Sequence, residues 1–495
     1  MRGRAAGRTL VLLGVSSFEF GVSSGGVHSQ LEPQSSKLVL VHVAVVDVAH
    51  GSVRRDMTVV VDGERITALG PAARVRLPQG ARVVDGAGRY LIPGLWDMHA
   101  HVDDQGAWVF PLYVANGVTG LRDMGSHLDR LAEWRAARLR GEPIPRVVAG
   151  GPIVTGMVDD PDPRLVRVAD SAAAERAVDT LVARGVDFIK VHDWLTPNAY
   201  AGVLAAARRH GVAVVGHVPV SIDPLAAAAA GQRSIEHQLS AWADYLVYAS
   251  SRETTFVRRT RALVGKPFDP SRLIGAWPVA ELDSLIASYD PAKADALARA
   301  MARAHVWHTP TLHVFSTVYL LPPDSAAVMR SPRVRYIPAS LRAELPAMLG
   351  DAAKLAHDSA RLAAHGRMHD LHADMVRRLY RAGVPLLAGT DAVPQYPLAI
   401  PGFTLHDELL ALVRAGVPTA AALRAATLEP ARYFGATDTL GTIAVGKVAD
   451  LVLLEGNPLA DIRNTARVNA VVLRGRLIDA EARRRMLEDA AGAAR

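Results

Sequence analysis

Short apolar runs alternate with helix-like segments through the middle of this 495-residue chain, and this alternation restricts the fold more than any other feature. The apolar runs at 188–191 and 212–217 each follow a helical pattern that ends at a glycine, Gly185 and Gly211 respectively. Strands joined by crossover helices pair in parallel, either in an open sheet or in a closed barrel. The pattern extends over about 350 residues, 91–440, and this length suits a (β/α)8 TIM barrel. We therefore predict an α/β fold of this kind.

Both ends of the chain carry β-like segments that flank this region. Residues 37–90 contain a strong hairpin signal at Asp62-Gly63, and residues 441–480 repeat the pattern of short apolar runs around a turn. Neither segment is large enough to hold a hydrophobic core by itself. We therefore predict that the two chain ends form one small β-sandwich, into which the barrel of residues 91–440 is inserted.

Two further stretches depart from the alternation of strand and helix. Residues 238–382 are mostly helix-like, interrupted by a short apolar run at 306–312, and we predict that they form an insertion in the barrel. Residues 1–30 combine three arginines with a short apolar run at 10–15, which resembles a secretory signal. We predict either a signal peptide, which would make the protein periplasmic or secreted, or a disordered extension of a cytoplasmic protein.

The composition limits the chemistry that the chain can carry. It has 18 histidines and no cysteine, which excludes disulfides, thiolate metal sites and cysteine nucleophiles. The net charge is +7, but the basic residues are scattered, which argues against nucleic acid as a partner. No run of about 18 apolar residues predicts a membrane span. We expect a small-molecule substrate, and the sequence leaves a homo-oligomer open.

Polar residues stand at the ends of the predicted barrel strands. His99 and His101 follow an apolar run, and alternation along an extended chain points both imidazoles the same way. The C-terminal ends of barrel strands converge on one face, where active sites are built. The residues in such positions are His99, His101, Lys190, His217, His237 and Asp391. Lys190 is the exception, because its ammonium group would be repelled by metal cations. A lysine amine that reacts with carbon dioxide, however, becomes an anionic carbamate, which can bridge two metals as a carboxylate would.

Several motifs around these residues make the chain resemble the amidohydrolase superfamily. The resemblance is to its binuclear, carboxylated-lysine branch, which includes imidazolonepropionase-like and Xaa-Pro or Xaa-Arg dipeptidase-like members. It extends from about residue 38 to 479. The motifs are PGLWDMHAH at 93–101, NGVTGLRDMG at 116–125, GHVP at 216–219, IEH at 235–237, GTDA at 389–392 and GTIAVGKVADL at 441–451.

The resemblance implies a ligand set and a reaction. One divalent metal ion would be held by His99, His101 and Asp391, and a second by His217 and His237. N6-carboxylated Lys190 and a hydroxide would bridge the two ions, for which zinc is well suited. The hydroxide would attack an amide-type C–N bond of a peptide, an N-acyl amino acid or a cyclic amide, with Asp391 as the proton shuttle.

Other functions, and further candidate residues for the site, stay open at this point. The same scaffold supports esterases, lactonases and deaminases, although deaminase-like members tend to carry a glutamate where this chain has Val220. A scaffold protein without metal would lack some of the ligands, whereas this chain has all of them. Lower-ranked candidates for substrate binding are His192, His308 and Arg122. His406 and Glu408 resemble a recurrent family segment, and we predict that they are structural.

Overall fold

The computed structural model describes residues 37–238, 245–264, 266, 276–314, 325–356, 358–393 and 398–495. The N-terminal extension predicted for residues 1–30 lies outside the described residues. Among the helices that are described, none is both long and apolar enough to cross a membrane.

Strands from both ends of the chain join in one sheet. The strands are β1 (Lys37–Asp47), β2 (Ser52–Asp62), β3 (Arg65–Pro71), β4 (Arg82–Asp85), β5 (Tyr90–Pro93), β15 (Leu451–Leu454), β16 (Val468–Leu473) and β17 (Arg476–Ile478). Their order is β17-β16-β15-β5-β1-β2-β3, with β4 paired to β1. Strand β5 connects the two ends, because it pairs in parallel with β1 and antiparallel with β15. The hydrogen bonds thus describe one continuous sheet, and a two-layered sandwich stays a prediction.

The middle of the chain forms two parallel sheets. The strands are β6 (Leu95–Ala100), β7 (Val118–Asp123), β8 (Arg146–Ala149), β9 (Ile153–Thr155), β10 (Leu165–Arg167), β11 (Phe188–Val191), β12 (Ala213–Gly216), β13 (Ser234–Glu236) and β14 (Trp307–Thr309). One sheet has the order β6-β7-β8 and the other β10-β9-β11-β12-β13-β14, with every pair parallel. The α/β fold with parallel strands that the sequence predicts is confirmed.

Single backbone hydrogen bonds connect the two parallel sheets. The N–H of Asp187, just before β11, donates to the carbonyl of Ala149 in β8 over 2.9 Å. On the other side, the N–H of Leu387 donates to the carbonyl of His308 in β14 (2.9 Å). The N–H of Met98 in β6 donates to the carbonyl of Ala388 (2.8 Å). The segment 385–391 therefore lies between β14 and β6.

Helices connect the strands and bury their apolar faces against them. They are α1 (Val102–Gln105), α2 (Phe110–Ala115), α3 (Leu128–Leu139), α4 (Ser171–Ala183), α5 (Pro197–His210), α6 (Pro224–Ala229), α7 (Tyr245–Tyr248), α8 (Glu253–Arg261), α9 (Val279–Ala287), α10 (Pro291–Arg303), α11 (Ser325–Met329), α12 (Ala339–Ala356), α13 (Ser359–Ala382), α14 (Phe403–Arg414), α15 (Thr419–Ala425), α16 (Leu428–Tyr433) and α17 (Ala480–Ala493). The Asp170 carboxylate caps α4, and Gly211 ends α5 in the left-handed conformation, as the sequence predicts for this glycine.

The stretch 238–382, predicted as a helical insertion, also contributes a strand to the parallel sheet. Strand β14 lies inside it and pairs with β13, with Ile235 opposite His308. Three residues of the short apolar run at 306–312, Trp307–Thr309, are therefore part of the sheet. This pairing brings the end of β14 next to the ends of β12 and β13.

Candidate metal centre

Two histidines at the end of β6 and one aspartate lie together. The Nε2 atoms of His99 and His101 lie 3.4 Å and 3.2 Å from Oδ1 of Asp391. The three side chains together offer one ligand atom each within 4.8 Å of one another, a spacing that a metal ion can bridge. Asp391 reaches this position because its backbone N–H donates to the carbonyl of His99 (2.8 Å).

The histidines at the ends of β12 and β13 face the same centre. The Nε2 atom of His237 lies 3.9 Å from Oδ2 of Asp391. The ring of His237 lies 4.5 Å from that of His99 and 4.9 Å from that of His217, measured between centroids. The structure therefore brings the four predicted histidine ligands and Asp391 into one cluster.

Each of three histidines turns its Nδ1 atom to a protein partner. The partners are Glu236 for His99 (3.1 Å), Asp193 for His217 (3.0 Å) and Thr311 for His237 (2.6 Å). A histidine that donates its Nδ1–H to an acceptor keeps the lone pair of Nε2 for a metal, and this arrangement is usual around bound metals. The buried Nε2 atom of His99 has no hydrogen-bond partner among the described residues. The donor set therefore fits divalent metal ions.

Burial keeps three of the four imidazoles in the neutral form that binds metal. Burial, together with the neighbouring Lys190, lowers the pKa of His99 and of His217 well below the usual range. Burial also lowers the pKa of His237 in this way. Burial alone would raise the pKa of Asp391, but His237 and His101 beside it hold that pKa below the ordinary value. The site thus combines three neutral imidazoles with an ionised carboxylate, and the hydrogen bond to that carboxylate raises the pKa of the fourth, His101, against the effect of burial.

Lys190 lies inside β11, where it is almost fully buried. Its side chain is 1% exposed, and burial lowers the pKa of its amine to about 8. The neighbouring strand accommodates it through Gly216, which has φ of +129°, and at which an added Cβ would lie 2.9 Å from the Lys190 Cδ atom. A neutral amine is the form that reacts with carbon dioxide, so the environment suits carbamate formation.

Three carboxylates near the ligands were not selected by the sequence analysis. Glu236 and Asp193 hold the rings of His99 and His217, and Asp97 accepts a hydrogen bond from the backbone N–H of His99 (3.1 Å). All three are fully or almost fully buried. A sequence signal exists for two of them, because Glu236 precedes His237 directly and Asp97 stands two residues before His99.

The three lower-ranked candidates for substrate binding differ in what they contact. Arg122 is fully buried and donates to the Met98 carbonyl (2.6 Å) and to Glu236 (2.6 Å), which favours positioning over substrate contact. His192 is the more accessible, with its side chain 33% exposed and its ring 4.3 Å from that of His217. His308 is buried, and its Nδ1 lies 3.1 Å from the Ile235 carbonyl.

The two residues of the family-like segment in α14 are both buried. His406 lies with Nδ1 3.0 Å from the Thr465 hydroxyl and Nε2 3.1 Å from the Asn116 carbonyl. Glu408 accepts hydrogen bonds from the backbone N–H groups of Leu312 and His313. Burial raises the pKa of Glu408 to about 8. Neither residue contacts the ligand cluster directly in these interactions.

Curated proteins match this chain only locally. An adenine deaminase from Mesorhizobium japonicum is 41% identical over 58 residues, which are 12% of this chain and 10% of that protein. An adenine deaminase from Rubrobacter xylanophilus is 34% identical over 104 residues, which are 21% of this chain and 17% of that protein. Because the chain spans so little of these relatives, their activity is not transferred to it.

Solved structures match nearly the whole chain. Bottromycin amidohydrolase superposes with a TM-score of 0.69 at 25% identity, over 93% of this chain and 91% of that one. A Xaa-Pro dipeptidase with bound methionine superposes with a TM-score of 0.60 at 20% identity, over 90% of this chain and 100% of that one. Ochratoxinase from A. niger superposes with a TM-score of 0.60 at 18% identity, over 90% of this chain and 96% of that one. The last two, below 25% identity, show a shared fold.

The family comparison covers the site together with β5 and the C-terminal strands of the terminal sheet. The sequence pattern of the amidohydrolase family matches residues 90–478. This range contains each of the clustered histidines, Lys190 and Asp391. The chain therefore belongs to the amidohydrolase family.

Proposed function

We propose that the protein is a binuclear metal-dependent hydrolase that cleaves an amide-type bond in a peptide, an N-acyl amino acid or a cyclic amide. One observation carries the proposal: the Nε2 atoms of His99 and His101 and a carboxylate oxygen of Asp391 meet within 4.8 Å. Nitrogen and oxygen donors at this spacing suit zinc and similar divalent ions. The dipeptidase and the amidohydrolase among the structural neighbours support the choice of substrate class.

The proposed architecture is a closed (β/α)8 barrel, residues 91–440, inserted into a sandwich made by residues 37–90 and 441–480. Support for closure comes from the hydrogen bonds that join β8 to the residue before β11 and the segment 385–391 to both β14 and β6. Support for the composite domain comes from the antiparallel pairing of β5 with β15. In a closed barrel the strand ends share one face, which is where the ligand cluster lies.

The ligands divide into two groups in this proposal. His99, His101 and Asp391 would hold one ion, His217 and His237 would hold the second, and carboxylated Lys190 would be a ligand shared by both. When bound, the ions would supply Lewis-acid polarisation of the substrate carbonyl and a water of lowered pKa. The burial of Lys190 and the orientation of the histidine rings by Glu236, Asp193 and Thr311 support this division.

Asp391 has the proton-transfer role. Its carboxylate is buried beside His99 and His101, yet its side chain retains 14% exposure toward solvent. It would accept the proton of the attacking water and deliver it to the leaving nitrogen as the C–N bond breaks. His237 and His101 hold the pKa of Asp391 below its ordinary value against the effect of burial, so the carboxylate is ionised, which is the form that can accept a proton.

Purine deamination is the second candidate function. The local similarity to adenine deaminases is the observation in its favour. The residue three positions after His217 is against it, because Val220 is buried and apolar where deaminase-like members tend to carry a glutamate. A turnover screen with dipeptides, N-acyl amino acids, cyclic amides, lactones and adenine separates the two.

Metal analysis and one substitution test the proposed site. We expect about two divalent ions per chain after growth in metal-supplemented medium, and elemental analysis that finds none removes the proposal. Lys190→Ala should lose most of the metal and the turnover, and short carboxylic acids with added metal should restore part of both. Lys293→Ala is the matched control, because Lys293 pairs with Glu253 away from the cluster. Full metal and full turnover in Lys190→Ala would rule out the carbamate.

A further inference from the structure

Thr311 lies outside the proposed ligand set but contacts one of its members. Its hydroxyl oxygen is 2.6 Å from Nδ1 of His237, and both side chains are buried. Thr311 follows strand β14, whereas His237 follows β13, so the contact connects the ends of two neighbouring strands. The direction of this hydrogen bond and the tautomer of His237 are linked, because the hydroxyl can accept a proton from Nδ1 or donate its own to it.

Both residues have an unusual backbone conformation. The φ angles are +61° at His237 and +48° at Thr311, in the left-handed region that non-glycine residues rarely adopt. The conformation is especially unfavourable for a β-branched residue such as threonine. Such a conformation persists only where the surrounding structure imposes it. The loop after β14 must therefore be held by other contacts.

Glu408 supplies those contacts from helix α14. Its carboxylate oxygens accept hydrogen bonds from the N–H groups of Leu312 (3.1 Å) and His313 (2.7 Å), the two residues after Thr311. The side chain of Glu408 is fully buried, and burying a carboxylate is costly without hydrogen bonds. A second anchor is the N–H of His237, which donates to the Thr309 carbonyl over 2.8 Å.

We propose that Glu408 and Thr311 act in series to position His237 for metal binding. Glu408 holds the backbone after Thr311, and the Thr311 hydroxyl then accepts the Nδ1–H of His237. With the proton on Nδ1, the Nε2 lone pair of His237 points to the shared centre and can bind a metal. If the hydroxyl donated instead, the proton would sit on Nε2 and the imidazole could not act as a ligand. Both residues are positioning residues.

Substitution of Thr311 tests the first step. Thr311→Val keeps the branched shape but removes the acceptor, and we expect the affinity for one metal to fall about 10–100-fold, as when other partners of metal-bound histidines are removed. Thr311→Ser restores the hydroxyl and should restore the affinity. Thr58→Val is the matched control, because Thr58 is buried in the terminal sheet and its hydroxyl has no partner among the described residues. The readouts are metal content per chain, chelator competition, and the visible spectrum of the cobalt-loaded protein.

Unchanged affinity and spectrum in Thr311→Val would overturn the inference. So would an equal loss of affinity in Thr58→Val, or a loss in Thr311→Val that serine does not reverse. In either case the effect would be one of packing and not of the hydroxyl as an acceptor.

Substitution of Glu408 tests the second step. Glu408→Gln keeps the volume but places an amide N–H₂ against one of the two backbone donors, so we expect a smaller loss of affinity at the same metal. Because the two residues act in series, the double variant with Thr311→Val should be no weaker than Thr311→Val alone. Losses that simply add would show that Glu408 acts independently of Thr311 and overturn the series.

This inference rests on the proposed metal site, and the two can fail separately. Wild-type protein that binds no metal would remove both. If the wild-type protein binds two ions and Thr311→Val binds them equally tightly, only the positioning role is removed.

Discussion

The carboxylate of Asp97 accepts two hydrogen bonds from Thr390, one from its backbone N–H (3.0 Å) and one from its hydroxyl (2.6 Å). Asp97 also accepts the backbone N–H of His99, so three donors converge on one buried carboxylate. Thr390 directly precedes Asp391, and Asp97 lies in β6. This pair therefore ties the strand that carries His99 to the segment that carries Asp391.

Asp97→Asn should weaken this connection. Asparagine offers one acceptor oxygen and places an amide N–H₂ toward donors, so at least one hydrogen bond is lost in a buried site. We expect the free energy of unfolding to fall by about 1–3 kcal/mol, with reduced metal content. Chemical denaturation and elemental analysis measure the two effects. Asp85→Asn is the control, because the Asp85 carboxylate accepts only an exposed local N–H, and its change should stay within about 0.5 kcal/mol. Equal stabilities of the two variants would contradict this role for Asp97.

Arg122→Met should be strongly destabilising. The Nη2 atom of Arg122 lies 2.6 Å from Oε2 of Glu236, and neither side chain is exposed. Removing the guanidinium leaves the Glu236 carboxylate buried without its partner, which typically costs roughly 3–5 kcal/mol. The pKa of Glu236 is held low against burial by Arg122 and Lys190, so that pKa should also rise in the variant.

Two further variants check this explanation by denaturant titration. In Arg122→Met with Glu236→Gln, the buried charge is absent and part of the lost stability should return. Arg82→Met breaks an exposed pair with Asp479 and should cost no more than about 1 kcal/mol. A double variant as unstable as the sum of the single variants would show that the charge is not the cause.

Gly216→Ala should disturb both the fold and the position of Lys190. The added Cβ would lie 2.2 Å from the Val191 carbonyl oxygen and 2.9 Å from the Lys190 Cδ atom. Backbone strain and crowding together should lower the free energy of unfolding by roughly 2–5 kcal/mol, and the metal content should fall. Gly211→Ala separates the two causes, because Gly211 also has positive φ, at +68°, but open space around it. In Gly211→Ala the free energy of unfolding should fall by about 1 kcal/mol, and the metal content should be unchanged.

Acid should destabilise the protein partly through His406. Burial lowers the pKa of His406 from 6.5 to about 4, so the unfolded chain binds a proton in this range and the folded chain does not. Its stabilising effect is complete above about pH 6.5 and is lost as the pH falls toward 4. Between pH 7.5 and 5 the loss amounts to about 2 kcal/mol.

Comparison of His406→Gln with the wild type isolates this contribution. The variant cannot be protonated at this position, so its stability should fall less between pH 7.5 and 5, by about 2 kcal/mol in denaturant titrations. His50→Gln changes an exposed histidine, whose side chain is 80% exposed, and should follow the wild type. Parallel curves for wild type and His406→Gln would refute the prediction.

Local patterns in the sequence predict the parallel strands and the residues at their ends. Alternating apolar runs and helix caps depend on neighbours in the chain, and this is why the ends of α4 and α5 match the prediction. The six candidate ligands were found because each follows, ends or interrupts an apolar run. The same reasoning predicted a helical insertion over 238–382 that is interrupted by an apolar run at 306–312, and β14 lies within that run.

The contacts that orient the ligands were decided only by the tertiary structure. Thr311 is 74 residues from His237, and Glu236 is 137 residues from His99, yet each bonds to the Nδ1 atom of its histidine. Such partners meet because strands that are distant in the chain end at the same place, and no local pattern records that meeting. The sequence by itself determined the fold class and the types of donor at the site. Packing determined which nitrogen of each ring faces the centre, because that depends on the acceptor buried behind the ring.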